Sequence, residues 1–199
     1  MAIIVDKEKK RTAIACSCKE ILLEYGIKNL TVSHIAKTAG VGKGTIYEYF
    51  ENKEDIVFEI ITSFIADHEQ QLHEIINMNI STKDKLFHFF NLIYENKNSQ
   101  EQLNIYREFL AISMTNGTPE MIDFNRVCRE KFSNILTQII QEGIDKNELQ
   151  EAAEGLVSAL LTFGLGLVVE AHTVSLDAKE EIKQYVDALF TLMETKENT

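Results

Sequence analysis

An all-α fold follows from three features of the chain. It has one proline and nine glycines in 199 residues, so few positions interrupt a helix. Leu, Glu and Lys, which favour helix, are abundant alongside Ile. Apolar residues recur at three- and four-residue spacing along most of the length. The pattern falls into two parts. Residues 1–52 are predicted to be a three-helix helix-turn-helix domain, and residues 53–199 a helical bundle with a four-helix dimer interface.

A charged arm, residues 6–11, leads into a first helix predicted over 9–25, with Ala13, Ile14, Cys16 or Ser17, Ile21 and Leu22 inward and Gly26 as its stop. Lys7, Lys9, Lys10 and Arg11 make a basic tip, either solvated or placed to meet phosphate. Thr31 is suited to cap a short helix carrying Ile35, Ala36 and Ala39 on one face. Gly40 ends it, because glycine takes the left-handed conformation without a Cβ clash. A second short helix over 43–50 turns Ile46 and Phe50 inward. Lys43, Thr45, Tyr47, Glu48 and Tyr49 are left facing outward. Gly42 and Gly44 bring bare backbone N–H groups to a helix start, where phosphate is attracted. Helix, glycine turn, helix is a DNA-reading arrangement.

Asn52 is predicted to cap a long helix over 53–76, with Asp55 completing the cap and Ile56, Ile60, Phe64 and Asp67 or His68 on one face. Lys53 lies in the first turn, where a cation opposes the helix dipole unless an anion is near. Ser81 or Thr82 starts a helix over 83–96 that is apolar on most sides. Another follows over 100–114. Pro119 opens the next at its first position, where a missing N–H costs nothing. That helix is predicted to bury Ile122, Val127, Phe132, Ile135, Leu136 and Ile139, and to end at Gly143. The last two helices, over 149–172 and 177–194, carry more apolar surface than one bundle can bury. Interior Gly155, Gly164 and Gly166 suggest close helix approach, and a homodimer built from two helices of each subunit is expected.

Net charge is −11, which taken alone argues against nucleic acid. Residues 1–50, however, hold eight Lys/Arg against five Asp/Glu, and residues 51–199 hold 12 against 26. A local positive face is what DNA contact requires. Cys16, Cys18 and Cys128 have no disulfide-framework spacing and read as reduced thiols, with redox sensing as a lesser possibility. No metal site is expected: His68 and His73 are five apart, whereas a shared metal on a helix needs i, i+4. No nucleophile elbow, phosphate-binding loop or cofactor motif occurs, so no enzyme and no cofactor are expected. The apolar-rich run 156–169 is interrupted by Ser158, Thr162 and two glycines and falls short of the ~18 residues needed to span a bilayer. With no signal peptide at the N-terminus, the expected location is cytoplasmic.

The stretch LTVSHIAKTAGVGKGTIYEYFENKEDI resembles the DNA-binding signature of the tetracycline-repressor (TetR) family of bacterial transcription regulators, over about residues 10–60. The resemblance implies that Thr31, Ser33, Lys43, Tyr47, Tyr49 and Lys53 hold phosphates, and that Gly42, Gly44 and Thr45 lie against bases or backbone. Two positions depart from the family pattern. Glu48 puts a carboxylate on the reading face, where it would accept from cytosine N4 or repel phosphate. Gly42 stands where Ser or Thr is common. The resemblance also implies a small-molecule effector held in the second part. Its dense aromatic and sulfur side chains supply candidates: Phe64, Phe87, Phe90, Tyr94, Tyr106, Phe109, Met114, Phe124 and Phe132, with His68 or His88 orienting the ligand. The expected function is a ligand-responsive regulator that represses from a double-stranded operator. The alternatives are an activator of the same fold and a helical ligand-binding protein without DNA binding.

Overall fold

The computed structural model describes residues 7–193, and every regular element in that span is helical. In order these are α1 (Lys7–Ser17), α2 (Lys19–Asn29), α3 (Val32–Thr38), α4 (Lys43–Tyr49), α5 (Lys53–Ile76), α6 (Thr82–Asn91), α7 (Lys97–Asn116), α8 (Pro119–Asp145), α9 (Val157–Thr173) and α10 (Ala178–Met193). Short 3-10 turns follow α6 and precede α9. Backbone packing separates two units. One holds the chain up to Asp67 together with Glu101–Thr115; the other holds His68–Gln100 and everything from Asn116 on. Two helices, α5 and α7, supply residues to both.

In the first unit, Ile14, Leu22, Ile35, Ile46, Phe50 and Ile60 form the buried centre. The single helix predicted over 9–25 is broken at Cys18 (φ −100°, ψ 4°). The Ser17 hydroxyl takes the Ile14 carbonyl at 2.7 Å and the Cys18 amide reaches only back to Ala15, a local side-chain bond competing with the helix ladder. The break turns Ala15 and Cys18 inward, while Ala13 and Ser17 stay exposed. Gly26 has φ +73° and ends the regular helical run, as its position predicted.

The second unit is built on α6, which packs against α8 and α10 through Leu86, Phe89 and Phe90. Lys85, 2% exposed, is buried among them. Its ammonium donates to both carboxylate oxygens of Glu142 on α8 (2.8 and 2.7 Å) and to the Ile76 carbonyl at the end of α5. Gly143 does not stop α8, which runs on to Asp145 before Asn147 turns left-handed at φ +58°. The glycine is there for space. A Cβ would lie 2.7 Å from Thr82 Cγ2 and 2.9 Å from Leu149 Cδ1. The predicted inward face of α8 also differs from the observed one in its first half. Ile122 is 64% exposed and Val127 lies outside, while Met121 and Cys128 are buried.

The apolar stretch near the C-terminus is longer than the interrupted run suggests, because the 3-10 turn joins α9. Glu151–Thr173 spans 23 residues and contains an 18-residue stretch with a mean hydropathy of 1.9, long and apolar enough by length and composition to cross a membrane. Leu160, Leu167 and Val168 face the core and Gly164 lies against the Phe90 ring. The opposite side exposes Gly155, Ser158, Ala159, Thr162, Leu165, Gly166 and Val169.

Candidate nucleic-acid interface

Thr31 caps α3 by accepting from the His34 amide at 3.2 Å. At the other end Gly40, at φ +65°, lets the chain reverse: the Val41 amide donates to the Ala36 carbonyl (3.0 Å) and the Gly40 amide to Lys37 (3.3 Å). This is a Schellman ending, which satisfies the last carbonyls of α3 and fixes where α4 begins. Gly42 then starts α4 with no side-chain cap, so the first amides of that helix are not covered from within by a side chain. A Cβ on Gly42 or Gly44 would meet nothing within 4 Å. No contact within the chain therefore requires glycine at either place, and the backbone there is open to close approach from outside.

Ile46 and Phe50 are buried, as the i, i+4 spacing predicted. Lys43, Glu48 and Tyr47, the last 60% exposed, stand outward, with Thr45 and Tyr49 half-buried. Thr31 and Ser33 are exposed at the start of α3. Lys53 is placed differently from the other candidates. Its ammonium reaches back to the carbonyls of Ile27, Lys28 and Leu30 at 3.2–3.4 Å. Those carbonyls offset the unfavourable cation in the first turn of α5 without a phosphate.

Two residues that sequence reading did not single out for this role hold the reader in place. Arg11, grouped by sequence with the basic tip, points inward. It donates to the Tyr49 carbonyl and to Asp55 and Glu59 of α5, and lies 4.4 Å over the Phe50 ring. The Asp55 hydrogen bond raises the guanidinium pKa further. Burial by itself would raise the Asp55 carboxyl, but the Arg11 hydrogen bond, the Glu51 amide and the Arg11 charge together carry it below its ordinary value. Asn52 caps α5 by accepting from the Asp55 amide at 2.8 Å. The second residue is Glu108 of α7. Its carboxylate accepts from the amides of Ile27 (2.8 Å) and Lys28 (2.9 Å), in the link between α2 and α3. Neither was legible beforehand, since partners 38 to 81 residues apart leave no periodic trace.

Comparison with known proteins agrees with this geometry. Residues 19–60 match the family described as bacterial regulatory proteins, tetR family. The fatty acid metabolism regulator protein of Bacillus subtilis is 28% identical over 158 residues, 79% of this chain and 80% of that protein. Residues 19–60 therefore carry a TetR-family DNA-binding region. Among solved structures, a TetR transcription regulator from Haloarcula marismortui superposes with a TM-score of 0.78 at 18% identity, covering 94% of this chain and all of that one. FadR of Bacillus subtilis in complex with stearoyl-CoA gives 0.66 at 25% identity, covering 90% and 97%. The TetR-family fold thus extends through the second unit as well as the first.

The effector candidates fall in different places along this chain. Phe64, Tyr106, Phe109 and Met114 belong to the first unit, with Phe64 and Phe109 buried and Met114 84% exposed. His68, Phe87, Phe90, Tyr94, Phe124 and Phe132 belong to the second. There His68 meets Phe132 edge-on at 6.0 Å between ring centroids, and Phe132 meets Phe89 at 6.4 Å. Burial lowers the His68 imidazole from 6.5 to about 4, so it is neutral at pH 7. Burial also raises the Cys18 thiol, and raises Cys128 to about 11. Neither supplies the thiolate that redox sensing requires. Among the described residues no His, Cys, Asp and Glu cluster is able to hold a metal ion.

Proposed function

We propose that this regulator is a cytoplasmic homodimer that represses from an operator of two half-sites and is released by a long-chain acyl thioester. The DNA-binding part is residues 1–52 and the effector and dimerisation part residues 53–199. The observation that carries the DNA reading is the outer side of α4. Gly42 and Gly44 are open, Lys43, Tyr47 and Glu48 are exposed, and Ile46 and Phe50 anchor the helix from behind. Lys43 and Tyr47 suit phosphate, with Ser33, Thr45 and Tyr49 beside them, and Glu48 suits a cytosine N4 donor.

The dimer reading rests on α9. Its exposed side sets Gly155, Ser158, Ala159 and Gly166 beside the apolar Leu165 and Val169, and a Cβ at Gly155 or Gly166 would meet nothing within 4 Å. Small residues that serve no packing within the chain suit the close approach of a second helix. Lipid does not call for them, and Leu160, Leu167 and Val168 on the other side already belong to the core. The effector class follows from similarity to the Bacillus subtilis fatty acid metabolism regulator and from the stearoyl-CoA held by FadR. The aromatic side chains of the second unit are compatible with an acyl chain. Release is a population shift: the ligand favours a reader spacing that no longer fits half-sites ~34–36 Å apart.

The test is selection of bound duplexes from random sequence, followed by gel shift of the selected duplex with and without stearoyl-CoA. A palindromic site released by stearoyl-CoA is the expected result. Failure to enrich any duplex refutes DNA binding, and enrichment without release refutes the effector class alone.

A further inference from the structure

We propose that Glu108 is a positioning residue for DNA reading: its carboxylate, carried on α7, grips the link in front of α3 and sets how the α3–α4 pair is presented. The proposal rests on the DNA-binding reading above and adds a residue that ties the reader to a helix outside residues 1–52. The link is held from both sides. Glu108 takes the Ile27 and Lys28 amides at 2.8 and 2.9 Å, one on each carboxylate oxygen. Lys53 takes the carbonyls of Ile27, Lys28 and Leu30. The next residue, Thr31, is the N-cap of α3.

The chain before the link is shaped for this grip. Gly26 has φ +73°, and a Cβ there would come within 2.8 Å of Glu108 Oε2. Any side chain at position 26 would be strained and would push the carboxylate away. On α7, Phe109 beside Glu108 is buried and meets Phe58 of α5 edge-on at 5.5 Å. The helix that carries the carboxylate is therefore itself anchored. Two charge-assisted hydrogen bonds to consecutive amides are directional, so a shift of α7 moves the link or breaks the grip. Since α7 also supplies residues to the second unit, Glu108 stands where a change in that helix reaches the reader.

The experiment uses the full chain and the duplex selected by wild type. Affinity is measured for that duplex and for a random duplex of equal length, with E108A, E108Q and G26A beside wild type, and amide exchange is followed at residues 27 and 28. Removing a negative charge favours any duplex equally, so the ratio of the two affinities is the readout. E108A is expected to lower that ratio about tenfold, the size of one or two charged hydrogen bonds, and to speed exchange at both amides. E108Q, which offers one oxygen and a competing N–H group, falls between. G26A disrupts the same grip from the other side and lowers the ratio even if E108A fails to fold. A ratio within about twofold of wild type in a folded E108A or E108Q overturns the proposal, as does a lower melting midpoint with an unchanged ratio. A wild-type chain that enriches no duplex overturns the DNA reading and this proposal with it.

Discussion

Lys85 and Glu142 offer a sharp test of how the second unit is held together, because the two partners differ in access to water. Lys85 is 2% exposed, whereas the Glu142 side chain is 27% exposed and also pairs with Lys146. Replacing Lys85 with Met keeps the stem in the core and removes the charge. Glu142 retains Lys146 and solvent, and the main loss is the donor to the Ile76 carbonyl. That costs about 1–3 kcal/mol. Replacing Glu142 with Gln leaves an ammonium in the core opposite a neutral amide, at roughly 3–5 kcal/mol. The Glu variant should therefore be less stable than the Lys variant by about 2 kcal/mol. For a chain of this length that separates their melting midpoints by roughly 4–8 °C. Urea unfolding at one fixed protein concentration measures it, since association would otherwise shift the midpoint. A Lys85→Met variant as unstable as Glu142→Gln, or more so, would refute the assignment of the burial cost to the ammonium.

Tyr47→Ala and Lys43→Ala should weaken binding to the selected duplex without lowering the melting midpoint, and the lysine variant should reduce the salt slope by about 1 in fluorescence anisotropy. Lys53→Ala should lower stability as well as affinity, because its amine holds three carbonyls; lost affinity at unchanged stability would instead place that amine on phosphate. For His68, the unfolded chain takes up a proton near pH 6.5 and the folded chain only near 4. Its contribution is complete above about 6.5 and falls away towards 4, by at most about 3 kcal/mol. His68→Phe should remove that part of the acid-side decline in unfolding titrations, and an unchanged decline would count against a half-buried neutral ring. Gly166→Glu should give a folded monomer in light scattering, and a persistent dimer would move the interface away from α9.

Much of the reader was legible in the sequence because its determinants are local. Thr31, Gly40, Asn52 and the Ile46–Phe50 pair act within a turn or two of themselves, through caps, a left-handed glycine and i, i+4 contact. A hydrophobic stripe also set the number and order of the long helices. Which side of a stripe is buried was a different matter. Ile122 and Val127 looked inward by residue type, yet the neighbouring elements receive Met121 and Cys128. Gly143 carried the sign of a helix stop, and only the nearness of Thr82 and Leu149 shows it as a point of close packing. Arg11 read as part of a basic tip, Lys53 as a cation for phosphate, and Glu108 drew no reading, because their partners lie far along the chain. By itself the sequence determined the helices, their caps and the turn that makes α3 and α4 a reading pair. Only the tertiary structure decided which charged groups hold that pair in place, because a hydrogen bond between distant residues depends on where whole helices pack, and no local spacing records that.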